Sequence, residues 1–199
     1  MIIRPLTVFE RETVREFYIA LAPDDRRKRF CCTLSDETIS KYVDRLNFSR
    51  DTVLGAFDEQ ARLIGLAELV CGTEASEMAF SVRPDRRGET IGTRLTQRLI
   101  QRASMCGIRK VFVMFLSDNT PMRRMAIRAG MALSSIDGEA YAERELPAPS
   151  AEELARWYLG ESLAHSRYFG TLGFARWRAL ANRPAIASIQ SPPLPLPAA

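Results

Sequence analysis

The sequence predicts a mixed α/β fold: a mostly antiparallel sheet containing one β-α-β unit, followed by a helical extension. Three observations predict it. Three short β runs follow one another between residues 52 and 82, joined by two short turns, which is the pattern of an antiparallel meander. A basic, glycine-bearing turn and a helical pattern (Ile91, Leu95, Leu99, Ala103) come directly after the third run. The chain then returns as Lys-Val-Phe-Val-Met-Phe-Leu over residues 110–116, its strongest strand. Such a crossover makes the strands before and after the helix parallel neighbours.

Taken in order, residues 2–8 read as a short apolar strand whose Pro5 fits an edge or an end. Residues 9–21 carry helical spacing at Val14, Phe17, Tyr18 and Leu21. Pro23 and Asp24 break that helix, and a basic helical stretch continues to about residue 32. Ser35-Asp36-Glu37 opens a third helix, with Ile39, Tyr42, Val43 and Leu46 on one face. The period then changes. The β runs are 52–58, 62–71 and 77–82, with turns at 58–61 and 72–74. The helix after the glycine turn ends near Gly107. The continuous apolar character of residues 110–116 predicts a central strand buried on both faces and covered by helices. Asp118 or Asn119 caps the next helix, which tolerates Pro121 in its first turn. Met122, Met125, Ala126 and Ala129 face inward, and Gly130 stops it. Residues 131–136 and 140–146 close the sheet around Asp137-Gly138, a hairpin-type turn.

After Leu146 the character changes, which divides the chain into a domain over 1–146, a helical aromatic-rich extension over 147–183 and a Pro-rich tail over 184–199. Pro147-Ala148-Pro149 is a break, and Ser150-Ala151-Glu152-Glu153 is a capping box for a helix with Leu154 and Trp157 inward. Both tryptophans, with Tyr158, Tyr168, Phe169 and Phe174, lie in the extension, which makes it the candidate homodimer surface. The tail is expected to be disordered or in polyproline II.

Composition bounds the function. Apolar residues make up 46% of the 199 and charged residues 26%, the balance of a globular chain with a sizeable core. The net charge of +4 is spread along the chain, whereas nucleic acid asks for a concentrated patch. The densest run, Arg26-Arg27-Lys28-Arg29, reads as a solvated helix face. No apolar run approaches the roughly 20 residues of a membrane span. The N-terminus lacks a basic segment followed by an apolar one, so a cytoplasmic protein without membrane contact is expected. None of the four cysteines forms a Cys-x-x-Cys pair, Cys71 and Cys106 read as reduced core residues, and no metal site is expected. The sole histidine, His165, has no nucleophile signature beside it, which argues against hydrolase chemistry.

The chemistry centres on residues 82–95, Val-Arg-Pro-Asp-Arg-Arg-Gly-Glu-Thr-Ile-Gly-Thr-Arg-Leu. Free N–H groups at a helix start, the positive end of its dipole, two arginines and a glycine that admits close approach suit a phosphate. The plain alternative is an ordinary strand-to-helix turn with solvated arginines.

Element order and motif together resemble the GNAT superfamily of acetyl-CoA-dependent N-acetyltransferases over about residues 2–146. The signature R/Q-x-x-G-x-G/A falls on Arg87-Gly88-Glu89-Thr90-Ile91-Gly92, with Thr90 where glycine is usual. A second signature, N-x-x-A-x-x-L-Y-x-x-x-G-F, has its spacing in Asn119, Met122, Met125, Ala126, Gly130 and Met131, with Ala126 in place of tyrosine. The run Ser-Glu-Met-Ala-Phe-Ser-Val over 76–82 is similar to the acetyltransferase domain of bacterial protein lysine acetyltransferases, which carry a glutamate there.

The resemblance implies acetyl-CoA between the strand before the turn and its parallel neighbour. Its pyrophosphate would take N–H groups from Gly88, Glu89, Thr90, Ile91, Gly92 and Thr93, beside Arg87. Its pantetheine would pair with the backbone near Phe80 and Val82, and Asn119 could hydrogen-bond it. Arg123 and Arg124 are candidates for the 3′-phosphate. Glu77 is the expected general base toward a primary amine, small molecule or protein lysine, and Glu68 is the alternate. Glu77 shares its strand face with Ala79 and Ser81, opposite Met78, Phe80 and Val82. Glu68 sits in an apolar run, where a carboxylate needs a partner. The competing reading is a degenerate GNAT-fold interaction module, suggested by Thr90 and by Glu89, whose charge opposes a pyrophosphate.

Overall fold

The computed structural model describes residues 1–136, 138–157 and 159. Its strands are β1 (Ile2–Pro5), β2 (Thr52–Phe57), β3 (Leu63–Val70), β4 (Ser76–Val82), β5 (Lys110–Leu116), β6 (Ala132–Ile136) and β7 (Glu139–Glu145). Its helices include α1 (Arg11–Ile19), α2 (Pro23–Phe30), α3 (Asp36–Arg45), α4 (Ile91–Met105) and α5 (Thr120–Arg128). Residues 151–157 are also helical.

The sheet runs β1-β2-β3-β4-β5-β7-β6. The expected meander is present, with Val53 opposite Glu68, Glu68 opposite Ala79, and Val70 opposite Glu77. Only β4 and β5 are parallel, and they pair only at Ser76–Val111 and Glu77–Phe112. Beyond Glu77 the two strands diverge, so residues 78–82 of β4 have a strand partner on the β3 side alone. β1 is shorter than expected: it ends at Pro5, which has no N–H to extend an edge ladder.

α3 and α5 form where their apolar spacing meets a start and a stop. Ser35 caps α3 by accepting the Thr38 N–H at 3.2 Å, and Ile39 and Val43 are buried. Asn119 caps α5 by accepting the Met122 N–H at 3.3 Å, and Gly130 follows with φ +68°. α4 buries Ile91, Leu95, Leu99 and Ala103 against Leu69, Met78, Val111, Val113 and Phe115. On the other face, Val14, Phe17, Tyr18, Ile39 and Val43 of α1 and α3 cover Val53, Phe57 and Leu66 of the β1–β4 half.

Three expectations are corrected. β5 is central but is not buried on both faces: its burial alternates, and Met114 is 45% exposed. Its apolar run spans a covered face toward α4 and a second face on which Phe112 is half-buried and Met114 exposed. The arginine-rich run of α2 is not a solvated face, because Arg29 is drawn into a buried pair with Glu68 and Arg26 into part-buried hydrogen bonds with the Ile19 and Leu21 carbonyls. Cys106 is exposed and Cys71 partly so, because each follows the last residues of its element instead of sitting within it.

The capping box at Ser150 is present, with Ser150 N–H donating to Glu153 at 2.7 Å and Glu153 N–H to the Ser150 hydroxyl at 3.2 Å. Trp157 is buried, with the Arg102 guanidinium 4.7 Å above its ring, so this helix packs on α4. The other aromatics of the extension and the Pro-rich tail lie outside the described residues. Among those residues no helix is long and apolar enough to cross a membrane.

Candidate cofactor and acceptor site

The turn after β4 makes its own chemistry. A 3₁₀ turn over Pro84–Arg86 leads to Gly88, with φ +85°, and Thr90, with φ +61°. Thr90 thus keeps the left-handed path a glycine would follow, at a cost for a β-branched residue of about 1–2 kcal/mol. Its hydroxyl donates to the Glu89 carbonyl at 2.6 Å and does not cap α4. The first bond into α4 runs from Arg94 N–H to Thr90 O, so the amides before it have no intrahelical acceptor. Gly92 serves packing: a Cβ there would come within 3.3 Å of Met125 Sδ, so its absence lets α5 close on α4.

These elements enclose a cavity of about 480 Å³ where β4 and β5 part. β4 contributes Phe80, Ser81 and Val82, the turn Arg86, Arg87, Gly88, Thr90, Ile91, Gly92 and Thr93, and the α5 side Asn119, Pro121, Met122, Arg124, Met125 and Arg128. Of the residues expected along the pyrophosphate and pantetheine, only Glu89 is absent from the lining; it faces Arg86, with the nearest nitrogen at 3.7 Å. Arg86 is also held at 3.6 Å from the buried Asp58. Arg123 is outside the lining, Arg124 within it. A fourth wall had no sequence signal: Leu21 with Asp25, Lys28 and Arg29 of α2.

The two candidate bases have opposite environments. Glu77 is exposed on the face away from α4, at the last paired position before the fork. Its neighbour across the fork, Phe112, stacks on Tyr141 at 5.3 Å between ring centroids. Glu68 is 1% exposed and has found the partners its burial demands. It accepts from the Tyr18 hydroxyl at 2.7 Å, from the Tyr42 hydroxyl and from the Arg29 guanidinium at 2.5 Å. Burial pushes both phenols above the ordinary tyrosine range, which keeps them protonated and donating. Glu68 thereby ties α1, α2 and α3 to β3. Ala126 is buried in the core, and Ser117 donates to the Gly138 carbonyl at 2.7 Å.

The sequence model of the acetyltransferase (GNAT) family matches residues 9–131, more than half of the chain. The chain belongs to the GNAT family. Solved structures agree on the GNAT fold. The GNAT domain of PAT from S. lividans is 21% identical at a TM-score of 0.62, covering 72% of this chain and 89% of that one. A GNAT superfamily phosphinothricin acetyltransferase from Sinorhizobium meliloti, solved with AcCoA, is 16% identical at 0.59, covering 75% and 92%. Spermidine N-acetyltransferase from Vibrio cholerae, solved with CoA and spermine, is 14% identical at 0.58, covering 72% and 94%. In this GNAT chain the forked β4–β5 pair and the turn into α4 form the β-α-β unit expected from the sequence.

Proposed function

We propose that this GNAT protein transfers acetyl from acetyl-CoA directly to a primary amine, on a small molecule or a protein lysine, with Glu77 as general base. What carries the reading is one convergence: unpaired β4 edge, amides without intrahelical acceptors and cationic side chains all border a single cavity. The S. meliloti and V. cholerae structures, solved with AcCoA and with CoA, support the donor. Amides from Gly88 to Thr93, beside Arg86 and Arg87, suit a pyrophosphate. The edge of β4 at Phe80 and Val82 suits the pantetheine amides, as an added strand would. Arg124 and Arg128 suit the 3′-phosphate.

The bound donor supplies a thioester carbonyl. In this reading the Val82 N–H polarises that oxygen. Glu77 removes the ammonium proton, directly or through a water; the amine nitrogen then bonds the carbonyl carbon as the carbon–sulfur bond breaks. Ala126 has no proton to give, so the departing thiolate takes, through water, the second proton that the nitrogen sheds as the amide forms. Against the reading of a non-catalytic module, Thr90 keeps the glycine-like path and Glu89 is directed to Arg86.

The test is free CoA release from acetyl-CoA with lysine peptides, polyamines, amino acids and aminoglycosides. The reading predicts acceptor-dependent release matched by acetylated amine. Cofactor binding with no acceptor raising release above hydrolysis would favour the module.

A further inference from the structure

α2 lies against both β4 and β5 at the fork, yet none of its residues is buried. Phe30 at its C-terminal end packs against Tyr18 and Tyr42, and Arg26 donates to the Ile19 and Leu21 carbonyls; the rest of its hold on the body is ionic. Asp25 pairs with Arg87 of the phosphate turn, Arg27 with Asp118 at 2.8 Å, and Arg29 with Glu68 at 2.5 Å. Arg87 follows β4 and Asp118 follows β5, so the first two pairs reach both lips of the cavity. The third is of another kind: Arg29 is 8% exposed and Glu68 1%, in a cluster with Tyr18 and Tyr42. α2 is therefore anchored at its C-terminal end by a buried pair and fastened toward its N-terminal end by pairs with water access. Exposed pairs are worth about 0–1 kcal/mol each and yield to competitors, whereas a buried pair does not.

The fastening uses the signature arginine. Arg87 is 52% exposed and Asp25 10%, and Asp25 itself lines the cavity. A carboxylate thus occupies the guanidinium that the proposed function assigns to the pyrophosphate. We infer that α2 is a charge-fastened lid over the cofactor groove, and that Asp25 competes with the phosphates of the acyl donor for Arg87. This rests on the cofactor reading above. Removing the competing carboxylate raises the fraction of protein with Arg87 free, and apparent donor affinity rises with that fraction.

Calorimetric titration of acetyl-CoA into the full chain, Asp25→Asn and Glu37→Gln tests it. Glu37 pairs with Lys41 within α3, outside the cavity and without touching α2, so its variant makes the same charge change away from Arg87 and from the lid. The expected result is tightening of about two- to fivefold for Asp25→Asn and no change for Glu37→Gln. Amide hydrogen exchange of cofactor-free Asp25→Asn is expected to be faster in residues 23–28 than in wild type, with 95–105 unchanged. Equal or weaker binding by Asp25→Asn, or equal tightening by both variants, overturns the competition alone. Failure of all three proteins to bind overturns the cofactor reading and the competition together.

Discussion

Glu77→Gln is expected to lower acetyl transfer by about 10²–10⁴-fold while leaving acetyl-CoA affinity nearly unchanged. Glutamine keeps the size and polarity of the side chain and removes only its basicity. Glu77 sits at the root of the fork, on the face of β4 opposite the apolar residues that pack toward α4. Glu68, two pairs along on β3, offers no substitute, because three donors already occupy its oxygens. Saturation kinetics with the best acceptor, beside calorimetry on the same variant, separate turnover from binding. An unchanged rate would move the base role to water.

Arg29→Met is expected to lower folding stability by about 3–5 kcal/mol, read by urea denaturation. It leaves the Glu68 carboxylate buried, with two tyrosine hydroxyls and no countercharge. The double variant Arg29→Met, Glu68→Gln removes the buried charge as well, and is expected to recover a substantial part of the loss. A loss below about 1 kcal/mol for the single variant would mean that this pair behaves like an exposed one.

The parts legible in the sequence are those written in short-range patterns. The meander follows from three short β runs and the turns between them, α3 and α5 from their caps, and the β4–α4–β5 unit from one strand-turn-helix stretch. The buried Glu68 announced that it needed a partner but not which one, because Tyr18, Tyr42 and Arg29 lie 50, 26 and 39 residues away. The α2 wall was illegible for the same reason: Asp25 meets Arg87 across 62 residues and Arg27 meets Asp118 across 91. A run of four cations looks solvated until its partners are placed. Residues 110–116 misled because an apolar strand at a fork has the composition of one covered on both faces. At Thr90 the sequence showed a departure from glycine, but only the backbone angle reveals that the turn is preserved.

Amide hydrogen exchange of the full chain with and without acetyl-CoA tests most directly whether this fork is the cofactor site. The account predicts slowed exchange in residues 78–82 of β4 and 88–93 of the turn. Binding that leaves both segments unprotected, or protects only surfaces away from the fork, would contradict it.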